Sequence, residues 1–315
     1  MVEGDTSLAG QRVLVTGGSG FVGRTLVPEF LRHGADVVVL DRQSFPGADV
    51  PTIRGDLTDP AVRDAAVTPD LTGIVHLAAI TSVLRSAEQP QETFDTNVEV
   101  TQGLLELARR RHVGQFVLAS TNAVVGNVGT STITEDSPLR PLTPYGATKA
   151  ACEMLLSGYA GAYGLATCAL RFTNIYGPGM AAKDSFVPRL MRAALAGEGV
   201  QVYGDGKQAR DLVHVSDIAA GVVAAWGHRH AGTAILGAGR SVTVLDLIEA
   251  ARAATGTPLP VAHVPAKTGE MPAVIVDIAR AATEFGYQPK IGLTEGLRTV
   301  WADFVANSTI TATPR

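Results

Sequence analysis

Tyr145 and Lys149 stand four residues apart in Pro144-Tyr145-Gly146-Ala147-Thr148-Lys149. Pro144 suits the first turn of a helix, and on a helix residues i and i+4 share a face. A phenol beside an ammonium can move protons near neutral pH. Free tyrosine titrates near ~10, and lowering that by roughly three units takes about 4 kcal/mol of differential stabilisation. A neighbouring cation in a partly desolvated site can supply that load. Tyr145 would then serve as general acid or base at a substrate hydroxyl. Thr121 closes Gln115-Phe116-Val117-Leu118-Ala119-Ser120-Thr121 and would give a second hydrogen bond to the same oxygen. Taken alone, a Tyr/Lys pair at this spacing is also what a solvated helix face looks like.

A second constellation changes that balance. Val13-Leu14-Val15 reads as a short buried strand, followed by glycines at 17, 20 and 23 and a helical pattern from Arg24 to His33. Gly17 would make the tight turn and Gly20 would admit a pyrophosphate to the helix N-terminus. Gly23 would let the helix sit close on the strand. Phe21 and Val22 lie inside the same turn. The next strand, Asp36-Val37-Val38-Val39-Leu40, ends at Asp41, eighteen residues after Gly23. An acid there accepts hydrogen bonds from the adenosine ribose and repels a 2′-phosphate, which favours NAD over NADP. Arg42 is either a solvated loop residue or a counter-charge for that phosphate. Asp56 and Leu57, after a third strand, contact adenine or simply form a turn with a helix cap. A positively charged nicotinamide beside Tyr145 would add to the pull of Lys149 on the phenol.

These residues need a scaffold that brings strand ends together. Strand and helix patterns alternate through the first half, which implies a parallel, doubly wound sheet with ligands at the strands' carboxyl ends. Gly73-Ile74-Val75-His76-Leu77-Ala78-Ala79 is one such strand, and its small terminal residues let a flat ring approach. His76 reads as a core histidine more readily than as a catalyst. A long helix is expected after Pro90, with Phe94, Val98, Thr101, Leu105 and Ala108 as a core stripe. The 315 residues are 46% hydrophobic and carry a formal net charge of −4, so no basic footprint suggests nucleic acid. Cys152 and Cys168 give neither a metal spacing nor a disulfide framework. No signal peptide and no apolar run of membrane-spanning length is visible, so a cytoplasmic location is expected. The Thr-rich stretch 305–315 reads as a frayed tail.

The chain resembles the extended short-chain dehydrogenase/reductase family, in its nucleotide-sugar epimerase/dehydratase branch, from about Arg12 to Phe304. The resemblance rests on Thr16-Gly17-Gly18-Ser19-Gly20-Phe21-Val22-Gly23, His76-Leu77-Ala78-Ala79, Asn97-Val98, Ser120-Thr121, Tyr145 to Lys149 and Arg171-Phe172-Thr173-Asn174-Ile175-Tyr176-Gly177-Pro178-Gly179. Later matches are Gly204 to Asp211, Val215-Ser216-Asp217 and Gly269-Glu270.

The resemblance implies an α/β fold, a Rossmann-type doubly wound sheet with a smaller, discontinuous substrate-binding domain. Residues 10–173 with 212–235 would bind NAD, and 174–211 with 236–304 would bind a nucleotide sugar. Tyr145, Lys149 and Thr121 become the catalytic set. Leu77, Ala78, Ala79 and Asn97 join the cofactor site. Asn174 and Arg210 would hold the substrate diphosphate, though they also read as a turn-forming Asn and a surface pair with Asp211. Lys267 stands where the branch has a diphosphate-binding Arg. Val125 replaces a frequent Tyr, and Asp217 is expected to cap a helix starting near Ile218. Val274 aligns with a wall of the sugar pocket that is often Tyr, so its small size implies room for N-acetylated sugars. Members that eliminate water carry Asp and Glu directly after the strand-end hydroxyl; here those positions are Asn122 and Ala123. The expected activity is NAD-dependent 4-epimerisation of a UDP-linked hexose by a homodimer paired through the helices after Pro90 and Pro144. A ketosugar reductase, a simple dehydrogenase and a non-catalytic NAD sensor are the alternatives.

Overall fold

The computed structural model describes residues 7–47, 49–266 and 271–311. Its strands, in chain order, are β1 (Arg12–Thr16), β2 (Asp36–Asp41), β3 (Thr52–Arg54), β4 (Gly73–His76), β5 (Gln115–Thr121), β6 (Thr132–Ile133), β7 (Ala166–Phe172), β8 (Asn174–Tyr176), β9 (Val200–Tyr203), β10 (Ala209–His214), β11 (Gly232–Leu236), β12 (Ser241–Thr243), β13 (Val261–Val264) and β14 (Ile275–Val276). Seven of them form one parallel sheet in the order β11-β7-β5-β4-β1-β2-β3. The chain winds outward in both directions from the β1–β4 pair, so a crevice opens above the carboxyl ends of those two strands.

The continuous valine and leucine runs in β1 and β2 follow from burial on both faces of the sheet. Side chains alternate across a strand. Val13, Val15, Val37 and Val39 pack on one side with Leu26, Val27 and Phe30 of the Gly23–Arg32 helix and Val222 and Trp226 of the Val215–Gly227 helix. Leu14, Val38, Leu40 and Ile74 pack on the other with Leu104 and Leu105 of the Val100–Arg110 helix and Leu156 of the Pro144–Tyr163 helix. A separate core, including Val187, Leu190, Leu247, Ile248, Leu297 and Val300, joins three helices, Phe186–Ala196, Val244–Thr255 and Leu293–Thr311. The return of 212–235 is visible in β11 and in the Val215–Gly227 helix. Ala281, Phe285 and Tyr287, sequence neighbours of the smaller unit, pack instead in the first core, beside Trp226.

Several sequence expectations are corrected here. The helix after Pro90 is interrupted: Pro90–Phe94 and Val100–Arg110 flank a π-helical turn, Asp95–Glu99. The extra residue shifts the stripe, leaving Phe94 43% exposed while Thr101, Leu105 and Ala108 stay buried. Asp217 does not cap its helix. His214 does, its Nδ1 accepting from Ser216 N at 3.2 Å. Asp217 instead accepts from the amides of Lys290 and Ile291, at 2.9 and 3.1 Å, and ties down the approach to the last helix. That helix runs to Thr311, so residues 305–311 are helical rather than a tail. Among the described residues no helix is long and apolar enough to cross a membrane.

Candidate active site

The crevice holds a cavity of about 1710 Å³, larger than the ~300–1,000 Å³ typical of single-ligand pockets. One end is built by the glycine turn. Gly17 has φ +69°, and a Cβ there would lie 2.8 Å from the backbone N of Ala78. Only glycine satisfies both the left-handed backbone and that approach. A Cβ at Gly23 would overlap the carbonyl of Gly18, so this glycine serves the turn's own closure rather than helix-on-strand packing. Gly17, Gly20, Phe21, Val22, Leu77, Ala78 and Ala79 all line the cavity. The cradle fits a dinucleotide diphosphate, with backbone N–H groups at the start of the Gly23–Arg32 helix.

Asp41 and Arg42 also line the cavity. Asp41 has a role not visible from spacing: Oδ2 accepts from Ser19 N and Oδ1 from Gln43 N, both at 3.0 Å. The acid at the end of β2 thus braces the glycine turn. Asp56 accepts from the amide and hydroxyl of Thr58, which holds its carboxyl below the usual range. The helix cap is Asp59 instead, leaving Asp56 and Leu57 on the cavity wall. A 2′-phosphate would meet the charge of Asp41. NAD is therefore expected to bind at least tenfold tighter than NADP, about 1.4 kcal/mol. Fluorescence titration with both nucleotides checks this, and equal affinities would mean that Arg42 governs the choice.

Asn97 is expected at the cofactor, and the structure gives its partners within the protein. It is buried and absent from the cavity lining. Placed by the π-helical turn, its Oδ1 accepts from Ile80 N at 2.8 Å, and its Nδ2 donates to Ile80 O and Thr148 Oγ1, both at 3.0 Å. It joins the loop after β4 to the helix that carries Tyr145. A π turn at a functional site is a recurrent use of that geometry.

At the other end of the cavity, Tyr145, Lys149 and Thr121 converge on one wall. Thr143 caps the helix by accepting from Gly146 N at 3.1 Å, and Pro144 takes its first turn. Ser86 Oγ accepts from Tyr145 N at 3.2 Å and fixes the start of the helix. A Cβ at Gly146 would lie 2.8 Å from the carbonyl of Ala123, so the glycine admits the turn after β5. Thr121 Oγ1 accepts from Ala123 N at 3.2 Å. Its own hydrogen is left to donate towards the phenol or a substrate oxygen.

Burial pushes the Tyr145 phenol up to about 12, against the downward pull of its hydrogen bond with Thr121. Without ligand the phenol is therefore a proton donor. Lys149 is 2% exposed yet lines the cavity. Desolvation lowers its pKa, and Cys152 and Glu153 act in the opposite sense. His76 is the core histidine expected, its Nδ1 2.6 Å from Thr16 Oγ1. Burial, then Lys149, bring it down to about 3, so it is neutral at physiological pH.

Asn174 and Arg210 line the cavity too, on β8 and β10. Asn174 Nδ2 donates to Asp211 O at 2.9 Å. Lys267 lies outside the described residues. Val274 is corrected as a size gate: it is 3% exposed, lines no part of the cavity, and packs with Val124, Val125, Ile133 and Ile235. Its amide donates to Ala209 O, and alternation then turns the short side chain into that cluster.

Three residues behind the catalytic wall had no role assigned from sequence. Ser120 Oγ donates to Glu153 Oε1 at 2.5 Å, and Arg171 grips both oxygens of Glu153 through Nε at 3.1 and 3.2 Å and Nη2 at 2.8 Å. Ser120 and Arg171 are register partners on β5 and β7. Glu153 follows Lys149 by four residues on the same helix. That spacing was the signal that could have found it. Among the described residues no group of three His, Cys, Asp or Glu could hold a metal ion.

A family model described as the NAD dependent epimerase/dehydratase family matches residues 13–237. The chain belongs to this family. A UDP-glucose 4-epimerase of Corynebacterium glutamicum is 32% identical over 301 residues, covering 89% of this chain and 91% of that protein. A dTDP-glucose 4,6-dehydratase of Streptomyces niveus is 34% identical over 305 residues, covering 91% and 90%. A solved UDP-glucose 4-epimerase of Thermus thermophilus, in complex with NAD, is 32% identical with a TM-score of 0.83, covering 94% of this chain and 99% of that one. NAD is the cofactor of the family, and the seven-stranded parallel sheet is its Rossmann-type core.

Proposed function

We propose that this chain is an NAD-dependent 4-epimerase of a nucleotide-linked hexose. Bound NAD would accept and return a hydride at C4 of the sugar. Tyr145 takes the proton of the C4 hydroxyl and gives it back, while Thr121 donates a hydrogen bond to the same oxygen. Lys149 keeps positive charge beside the phenol, which favours its ionised form. Asn174 and Arg210 hold the diphosphate, Arg210 through its bidentate fork. The transient 4-keto sugar turns over between the two half-reactions and takes its hydride on the other face.

One feature of the chain favours this reading over that of the dehydratase relatives. The turn that follows Thr121, Asn122–Val124, carries an amide and a methyl group at its first two positions. Neither Asn122 nor Ala123 can exchange a proton near neutral pH. Removal of water from the sugar needs an acid for the leaving oxygen and a base for the C5 proton, and this turn supplies neither. Incubation with UDP-glucose and dTDP-glucose, followed by proton NMR, tests the proposal. The expected product is the C4 epimer, with no 4-keto-6-deoxy sugar and little net rise at the reduced-nicotinamide band. A 4-keto-6-deoxy product would establish a dehydratase, and stoichiometric NADH would establish a dehydrogenase.

A further inference from the structure

The segment that enters the Phe186–Ala196 helix is held in shape by two arginines of that helix. Arg192 Nη1 donates to the carbonyls of Ala181 and Lys183, at 3.0 and 3.3 Å. Arg189 donates from Nε to Asp184 Oδ1 and from Nη2 to Asp184 O, both at 3.1 Å. Arg192 Nη2 approaches Asp184 Oδ1 at 3.7 Å. The one acid beside Lys183 is thereby already matched by two cations. Lys183 itself, at the cavity edge, reaches across the cleft and sets its Nζ 4.7 Å from the centre of the Phe21 ring. Among the described residues no carboxylate pairs with it. Phe21 belongs to the glycine turn but packs against the core of the smaller unit, together with Ala181 and Phe186.

A lysine built to face a phenyl ring from the opposite wall of an anion-binding cleft lacks its natural partner. A cation over a half-buried phenyl ring is a weaker contact than an ion pair, and a phosphate oxygen can replace it. Two diphosphates enter this cleft. That of the sugar nucleotide is expected by Asn174 and Arg210. That of NAD belongs at the glycine turn, where Phe21 directly follows Gly20. Lys183 rests on the second.

We propose that Lys183 is a cofactor-binding residue whose ammonium closes over the NAD diphosphate from the wall opposite the glycine turn. The proposal uses the family's cofactor and is independent of the reaction assigned above. Its charge makes the hold on NAD salt-dependent, because an exposed ion pair weakens as ionic strength rises.

Lys183→Met tests it, since methionine keeps the length and the contact with the Phe21 ring but not the charge. NAD and UDP affinities are measured by calorimetry at low and high salt, and NAD content is measured after gel filtration. The expected result is an NAD dissociation constant raised about tenfold, equivalent to ~1.4 kcal/mol, with a flatter salt dependence and UDP affinity within twofold of the native protein. Lys183→Arg is expected to restore NAD binding to within threefold. Unchanged NAD affinity in the methionine variant overturns the proposal. So does a loss confined to UDP, which would place the lysine on the substrate's diphosphate instead.

Discussion

Replacement of Tyr145 by phenylalanine is expected to lower kcat at least a hundredfold while NAD still binds. The substitution removes one oxygen and leaves the ring in place, and Ser86 holds the helix start through the backbone N of residue 145 rather than through the side chain. What is lost is the proton carrier, and positioned acid–base groups contribute roughly 10²–10⁴ in rate. The direction of the phenol's shift sharpens the test. Burial, partly offset by Thr121, places the group at about 12, too high for a base near neutrality. Catalysis thus requires that Lys149 and the charge of the oxidised cofactor bring it down. The acid limb of the native pH–rate profile should therefore fall well below 12, and the phenylalanine variant should lose that limb. Near-native turnover in the variant would remove Tyr145 from the mechanism.

The second large effect is on stability. Arg171→Met should destabilise the protein by about 3–5 kcal/mol, the usual cost of stripping one partner from a buried ion pair. Both Arg171 and Glu153 are almost wholly buried. Arg171 supplies three of the donor contacts on Glu153, and only Ser120 would remain. Nη1 of Arg171 also donates to Glu135 O at 3.1 Å, so a partly buried carbonyl would lose this partner. The midpoint of urea unfolding is the measurement, with Tyr145→Phe as a control at the same wall. A double variant, Arg171→Met with Glu153→Leu, should recover much of the loss, because no charge is then stranded. If the single variant unfolds at the native midpoint, the pair contributes nothing and the argument fails.

What was legible in the sequence was whatever depends on short spacing. The glycine triplet, the acid at the end of β2, and Tyr145 with Lys149 are local patterns, and the alternation of strands and helices carries the doubly wound sheet with them. Features set by long-range packing were not legible. A π-helical turn has no periodic signature, so the bonds of Asn97 to Ile80 and Thr148 could not be seen. Val274 was placed by alignment of a loop, but its side chain is directed by the pairing of its backbone with Ala209. Asp217 has the chemistry of a cap, and the distant amides of Lys290 and Ile291 claimed it. The partnership of Arg171 with Glu153 joins a strand to a helix, and neither residue betrays the other by position.

The turn Asn122–Val124 is small, and its backbone is fixed from outside. Thr121 holds Ala123 N, and Gly146 makes room for Ala123 O. The backbone contacts that place this turn do not depend on the side chains of Asn122 and Ala123. On the proposed reading, descent of the fold and descent of the reaction come apart at this point. Proteins named as epimerases and as dehydratases stand at 32% and 34% identity to the chain, and whole-chain resemblance weighs two positions of one turn no more than any other two. On the proposed reading, kinship reports the cofactor and the scaffold, and the fate of the sugar is inherited separately, in a segment short enough to change in two steps.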